Sequence, residues 1–172
     1  LDLINEAYNK DKLMGMVQTK RESNSVYKVG CLGKINDYHK SKDGRILINL
    51  TGITRFKIVE EIKNQKLYRE FKVDYEMFKG DTTDIKEKVE SSHLIEKAKI
   101  FFKRNGLLLN WKEFEKLNQN QKINTLAMIA PITNEEKQKL LEVVSLKEMI
   151  DILDKIISFY LYEISLNNQT IQ

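Results

Sequence analysis

Residues 27–59 read YKVGCLGKINDYHKSKDGRILINLTGITRFKIV, from Tyr27 to Val59. This stretch decides the fold. Its first part, 27–38, reads as a strand. Lys40-Ser41-Lys42-Asp43-Gly44 is a polar turn, and Asp43-Gly44 supplies the positive φ that a tight hairpin needs. Arg45 to Thr51 then reads as a second strand. Gly52 is expected to break it, as a pivot with positive φ or close backbone approach. Residues 53–62 resume as a third strand, with charge and apolar side chains alternating over Arg55-Phe56-Lys57-Ile58.

Working outward, residues 1–10 read as the end of a helix with Ile4 and Tyr8 on one face, and 14–18 as a strand. Residues 67–78 read as another strand, with a bulge expected near Glu70. Lys79-Gly80-Asp81-Thr82-Thr83 is the boundary, after which the apolar period changes from two to 3.6. Asp84 is a predicted N-cap with Glu87 at N3, opening a helix that runs to Arg104 and stops at Asn105-Gly106. Asn110 is placed to cap a short helix bearing Trp111, Phe114 and Leu117. Residues 121–130 form the next, ended by Pro131. Thr133 with Glu136 and Ser145 with Glu148 are capping boxes, and Val144 with Met149 is a hydrophobic staple. The last helix carries Met149, Ile150, Leu153, Ile156, Ile157, Tyr160 and Ile164 in one apolar stripe, the mark of a bundle core.

The chain has 172 residues, 41% hydrophobic and 31% charged, with a net charge of +4 and mean hydropathy −0.46. No apolar run approaches the ~20 residues that span a bilayer, and no signal peptide is recognisable. The Lys residues are dispersed among Glu and Asp rather than clustered with aromatics, which argues against nucleic acid. The single Cys31 cannot form an internal disulfide, so the predicted compartment is the cytoplasm.

Candidate chemistry fails residue by residue. Gly30-Cys31-Leu32-Gly33-Lys34-Ile35 is not a phosphate loop: two residues rather than four separate the glycines, and Ile35 follows Lys34 where a hydroxyl is needed. His39 and His93 have no Cys or carboxylate at ligand spacing. Cys31 would be a nucleophile only if His39 folded back beside it. Asp74 and Glu76, read on one strand, share a face as glycosidase carboxylates do, but surface carboxylates on an edge strand explain them better. No enzyme, cofactor or metal signature survives. Arg55-Phe56 is read structurally, with Phe56 entering the core and Arg55 pairing with a carboxylate or bracing the Gly52 turn. The weaker reading has Arg55 holding a peptide carboxylate or carbonyl.

Val29-Gly30-Cys31-Leu32-Gly33-Lys34-Ile35, then Asp43-Gly44-Arg45, then Leu50-Thr51-Gly52-Ile53-Thr54-Arg55-Phe56, resemble in order the N-terminal substrate-binding domain of Lon proteases. Tyr68-Arg69 and Val73-Asp74-Tyr75 follow where that family has its next strand. Leu126 to Pro131 and Glu135 to Glu142 resemble the helical tail of small bacterial proteins that carry the Lon-type domain alone. One departure stands out. The family opens with a Pro-rich apolar strand, whereas this chain begins at Leu1 inside a helix, so a native N-terminal segment is expected to be missing.

The resemblance implies an α+β fold, with a PUA-like twisted antiparallel β-domain over 1–80 and a helical bundle over 84–166. It implies non-catalytic binding of unfolded or degron-bearing polypeptide, by an adaptor, decoy or chaperone-like module. A protease or chaperone is the further partner, and the ATPase and protease parts of Lon are absent. The binding surface would be an open strand edge or a groove between the halves. Tyr38, His39, Tyr68 and Arg69 are the candidate peptide contacts, near predicted strand ends. Gly30, Gly33, Gly44, Gly52, Arg55 and Phe56 are the structural hallmarks. The alternative is a PUA-like RNA-binding module.

Overall fold

The computed structural model describes residues 2–21, 23–83 and 89–169. The chain divides into two compact units, Leu1–Ile85 and Lys86–Gln172. The first begins with α1 (Asp2–Asn9), followed by four strands: β1 (Leu13–Met16), β2 (Val29–Lys40), β3 (Ile46–Ile62) and β4 (Glu70–Asp74). They form one antiparallel sheet in chain order. A 3-10 helix over Glu76–Thr82 closes the unit. Ala7, Met14, Val29, Ile35, Phe56, Ile58 and Phe78 are buried in it.

Asp43-Gly44 makes the turn. Gly44 has φ +85, the Ser41 N–H donates to the Arg45 carbonyl, and Arg45 Nε donates to Asp43 Oδ2 at 2.7 Å. Gly52 does not break the strand. β3 runs unbroken for 17 residues, and among its residues none has positive φ. A bulge absorbs the irregularity: Leu32 pairs with Thr54 and Gly33 with Gly52, leaving Ile53 as the extra residue. A second bulge sits at Asn36. The third lies at Val59 of β3 rather than near Glu70. The close approach is at Gly30 instead, where an added Cβ would lie 2.6 Å from the Met16 carbonyl oxygen and 2.7 Å from Phe56 Cζ.

The bulges let the sheet coil. Tyr38 pairs with Ile48 near one end of β3, and Glu70 pairs with Ile62 at the other. On a flat strand those positions would be about 46 Å apart. Yet the Tyr38 hydroxyl donates to Asn5 Oδ1 (3.3 Å) and the Tyr68 hydroxyl donates to Glu6, neighbouring residues of α1. The sheet therefore curls around that helix.

The strand expected over 67–78 is shorter. It ends at Asp74, whose Oδ1 accepts the Glu76 N–H and turns the chain into the 3-10 helix.

The second unit holds α2 (Ser92–Arg104), α3 (Trp111–Glu115), α4 (Gln119–Ile129), α5 (Asn134–Glu142) and α6 (Leu146–Gln169). The predicted cap at Asp84 and Glu87 lies outside the described residues. Val89 and Glu90 are not helical, and Glu90 Oε1 accepts the Ser92 N–H, so the helix begins there. It ends at Asn105, followed by Gly106 at φ +68. Asn110 caps α3, and Thr133 and Glu136 form the box that opens α5. Asn118 and Gln121 form an unanticipated box that starts α4 at Gln119. The Glu148 N–H donates to Ser145 Oγ at 3.1 Å, while Val144 stands exposed rather than stapled. Phe101, Phe102, Phe114, Ile123, Leu126, Leu140, Leu153 and Ile157 fill the core.

Candidate functional site

The centre of the β-unit is a clamp between β3 and the 3-10 helix. The Arg55 backbone N–H and Nε each donate to Asp81 Oδ2 at 2.9 Å, and Nη2 donates to Oδ1 at 2.7 Å. The guanidinium lies 4.4 Å from the centroid of the buried Phe78 ring. The two side chains are only 16% and 19% exposed. Burial pushes the Asp81 carboxyl up, but the Arg55 hydrogen bonds and charge outweigh it and hold the group below its ordinary value. Phe56 is buried beside the clamp, edge-on to Tyr75. Arg55 thus spends its guanidinium on a carboxylate of its own unit.

The candidate chemical pairs do not assemble. Cys31 pairs with Arg55 and His39 with Leu47, placing them about 26 Å apart along β2. Burial and the nearby Asp81 push the Cys31 thiol up, which disfavours the thiolate. Asp74 ends β4 while Glu76 opens the 3-10 helix and pairs with Lys79, so they share no strand. Among the described residues no three His, Cys, Asp or Glu side chains gather as a metal site. No helix of the described residues is long and apolar enough to cross a membrane.

The four candidate peptide contacts are placed as follows. Tyr38 stacks on Tyr8 with ring centroids 4.7 Å apart. Tyr68 joins an exposed network in which Glu6 meets Lys10 and Lys66, and Lys66 meets Glu70. Lys10 and then Tyr68 pull the Glu6 carboxyl down to about 2, and Glu70 with Tyr68 raises Lys66. Arg69 grips Glu61 with two nitrogens (2.7 and 2.6 Å) and donates to the Asn24 carbonyl at 2.9 Å. With Thr19, Ser23 and Asn24 it lines an open depression of about 640 Å³. His39 is exposed on the hairpin arm. The structure thus brings Tyr38 and Tyr68 to one helix, while Arg69 ties Asn24 to Glu61.

The β-unit also exposes apolar side chains. Leu47 is 71% exposed and Leu67 90%, with Met16, Ile53, Val59 and Ile62 also exposed. Sequence reading missed Asp81, which it placed in a linker, and Glu6. Neither partner is near in sequence to the residue it holds.

The whole architecture has counterparts among known proteins. The family model described as the ATP-dependent protease La (LON) substrate-binding domain matches residues 1–158. The chain belongs to that Lon domain family. The structure is similar to the Lon N-terminal domain protein from Xanthomonas campestris. The TM-score is 0.66 at 16% identity, covering 88% of this chain and 80% of that one. It is also similar to the N-terminal domain of the Mycobacterium avium complex Lon protease. There the TM-score is 0.56 at 16% identity, covering 90% and 82%. At that identity the likenesses show the α+β fold alone. A comparison with curated proteins gives no match.

Proposed function

We propose that this Lon-family domain binds unfolded or degron-bearing polypeptide without catalysis, through a surface on its β-unit. The family match over residues 1–158, to a domain described as substrate-binding, carries this reading. The exposed apolar side chains of the β-unit support it, since peptide recognition relies on apolar burial and neutral backbone hydrogen bonds. Tyr38, His39, Tyr68 and Arg69 would flank that surface. His39, Tyr38 and Tyr68 would contribute ring faces, and Arg69 the exposed face of its guanidinium. The module would act as an adaptor or chaperone-like binder, delivering segments to a protease or chaperone. The single cysteine fits a reducing compartment such as the cytoplasm.

Fluorescence anisotropy with a labelled casein fragment and a labelled single-stranded RNA, across a salt series, tests the proposal. Casein binding should weaken little with salt. RNA held by about six phosphate contacts would weaken by orders of magnitude over a fourfold salt range. Tight, salt-sensitive RNA binding with no affinity for casein would refute the proposal in favour of an RNA-binding module.

A further inference from the structure

Strand β3 has two edges, and one is only partly used. Its β2 side is paired from Ile46 to Lys57, whereas β4 pairs the other side only from Lys57 to Ile62. The Ser41 N–H donation to the Arg45 carbonyl sets the phase of the ladder. Backbone groups alternate in direction along an antiparallel strand. Arg45, Leu47, Asn49 and Thr51 therefore turn theirs toward β2, and Ile46, Ile48 and Leu50 turn theirs away. Further along, the Arg55 N–H on this outer side is taken by Asp81. Among the described residues nothing pairs with the outward N–H and C=O groups of Ile46, Ile48 and Leu50. None of the residues from Ile46 to Gly52 is buried.

The side chains along this edge sharpen the point. Ile46-Leu47-Ile48-Asn49-Leu50-Thr51-Gly52-Ile53 carries no charge and no proline. Open edges of this kind are normally blunted by Lys, Pro or a covering element, because they template a further strand. Here the blunting devices lie outside the run, at Arg45–Asp43 on one side and Arg55–Asp81 on the other, each neutralised internally.

We propose that the outer edge of β3, from Ile46 to Gly52, takes up an extended, uncharged segment of an unfolded partner polypeptide as an added strand. This rests on the polypeptide-binding reading above and gives it a place and a mode. The occupant follows from the chemistry of the edge. Alternating backbone donors and acceptors match another extended backbone, and an uncharged run matches an uncharged segment. A second folded copy fits less well. Seven residues span about 23 Å, and at about 10 Å of height the edge offers roughly 230 Å² per partner. A stable interface between rigid bodies needs about 800 Å² per partner. An unfolded segment laid there also covers exposed Leu47 and can continue past Gly52 to exposed Ile53.

Amide hydrogen exchange on the isotopically labelled protein, with and without the casein fragment, tests this directly. The amides of Ile46, Ile48 and Leu50 should exchange fast in the free protein and gain protection with casein. Ile48→Pro removes one outward N–H and leaves the β2 ladder intact, a position where proline is tolerated. It should weaken casein binding about tenfold. Leu47→Lys, on an exposed side chain, should also weaken it and guards against misfolding of the proline variant. Casein binding that leaves the three amides unprotected, or both folded variants binding like wild type, overturns the edge while the polypeptide-binding reading stands. No casein binding by the wild type overturns both. Protection of the same amides without casein, at doubled mass in sedimentation, assigns the edge to a second copy and overturns the proposal.

Discussion

Replacing Gly30 by alanine tests whether close packing of β1 on β2, rather than a pivot at Gly52, is what glycine serves in this sheet. The added Cβ would sit 2.6 Å from the Met16 carbonyl oxygen, 2.6 Å from Val17 Cγ1 and 2.7 Å from Phe56 Cζ. Ordinary contact needs nearly an ångström more. The Val17 methyl can rotate away. The Met16 oxygen is backbone of a strand paired at that point with Cys31, and the Phe56 ring is buried. Either β1 lifts from the sheet or the Phe56 ring is forced off its packing. Overpacking of this kind costs about 1–3 kcal/mol. At about 2.5 kcal/mol, calorimetry should show the melting transition of an 85-residue unit falling by roughly 10–20 °C. Gly52→Ala is the matched control. Among the described residues its Cβ would meet Cys31 Sγ alone, at an ordinary 3.5 Å, and its φ is not positive. That variant should melt at or slightly above the wild-type temperature, because alanine restricts the unfolded chain. A Gly30→Ala protein melting within about 2 °C of wild type, or a Gly52→Ala protein falling as far, would refute the reasoning.

Asp81→Asn should destabilise the β-unit by about 2 kcal/mol at neutral pH, through the weakened charge-assisted bonds to Arg55. Because the folded carboxyl is held below its ordinary value, this contribution is complete above about pH 4 and is lost as pH falls through the folded value. Chemical denaturation of both proteins between about pH 6 and pH 2 should therefore show the gap closing toward acid, and a constant gap would contradict the assignment. Leu153→Ala, at a fully buried position of α6, should cost about 3 kcal/mol by denaturant titration. A cost under about 1 kcal/mol would mean that the helix is accessory. Calorimetric titration with Mg-ATP should give no saturable heat, given the two-residue spacing of Gly30 and Gly33. Micromolar binding would overturn that reading.

The features legible in the sequence are those set by neighbours in the chain. Asp43-Gly44 encodes its turn because positive φ is a local demand, and Thr133 with Glu136 encodes a helix start because both hydrogen bonds close within one turn. Gly52 was illegible for the opposite reason. A glycine in a strand looks the same whether it ends the strand or lies beside a bulge, and the difference is decided by Leu32 and Gly33 on the partner. Asp81 sat in an apparent linker 26 residues from Arg55, and Glu6 lies 62 residues from Tyr68. No periodicity reports such pairs. Tyr38, Tyr68 and Arg69 stood out as aromatic and cationic side chains near strand ends, but only the coiled sheet shows that α1 and Glu61 already engage them.

Those same pairings bear on which macromolecule the β-unit suits. Arg55 is spent on Asp81, Arg69 on Glu61, Arg45 on Asp43, and Lys66 on Glu6 and Glu70. A nucleic-acid face needs cations whose counterions a phosphate backbone can replace, whereas cations already matched by carboxylates release little on binding. These four matched clusters therefore offer a phosphate backbone little free charge. The outward backbone of Ile46, Ile48 and Leu50 and the exposed side chain of Leu47 offer an uncharged chemistry instead. Backbone amides and an isoleucine-leucine run make weak, salt-insensitive contacts with another extended chain. A domain that samples many unfolded segments needs contacts of that strength, since they read the backbone that all polypeptides share.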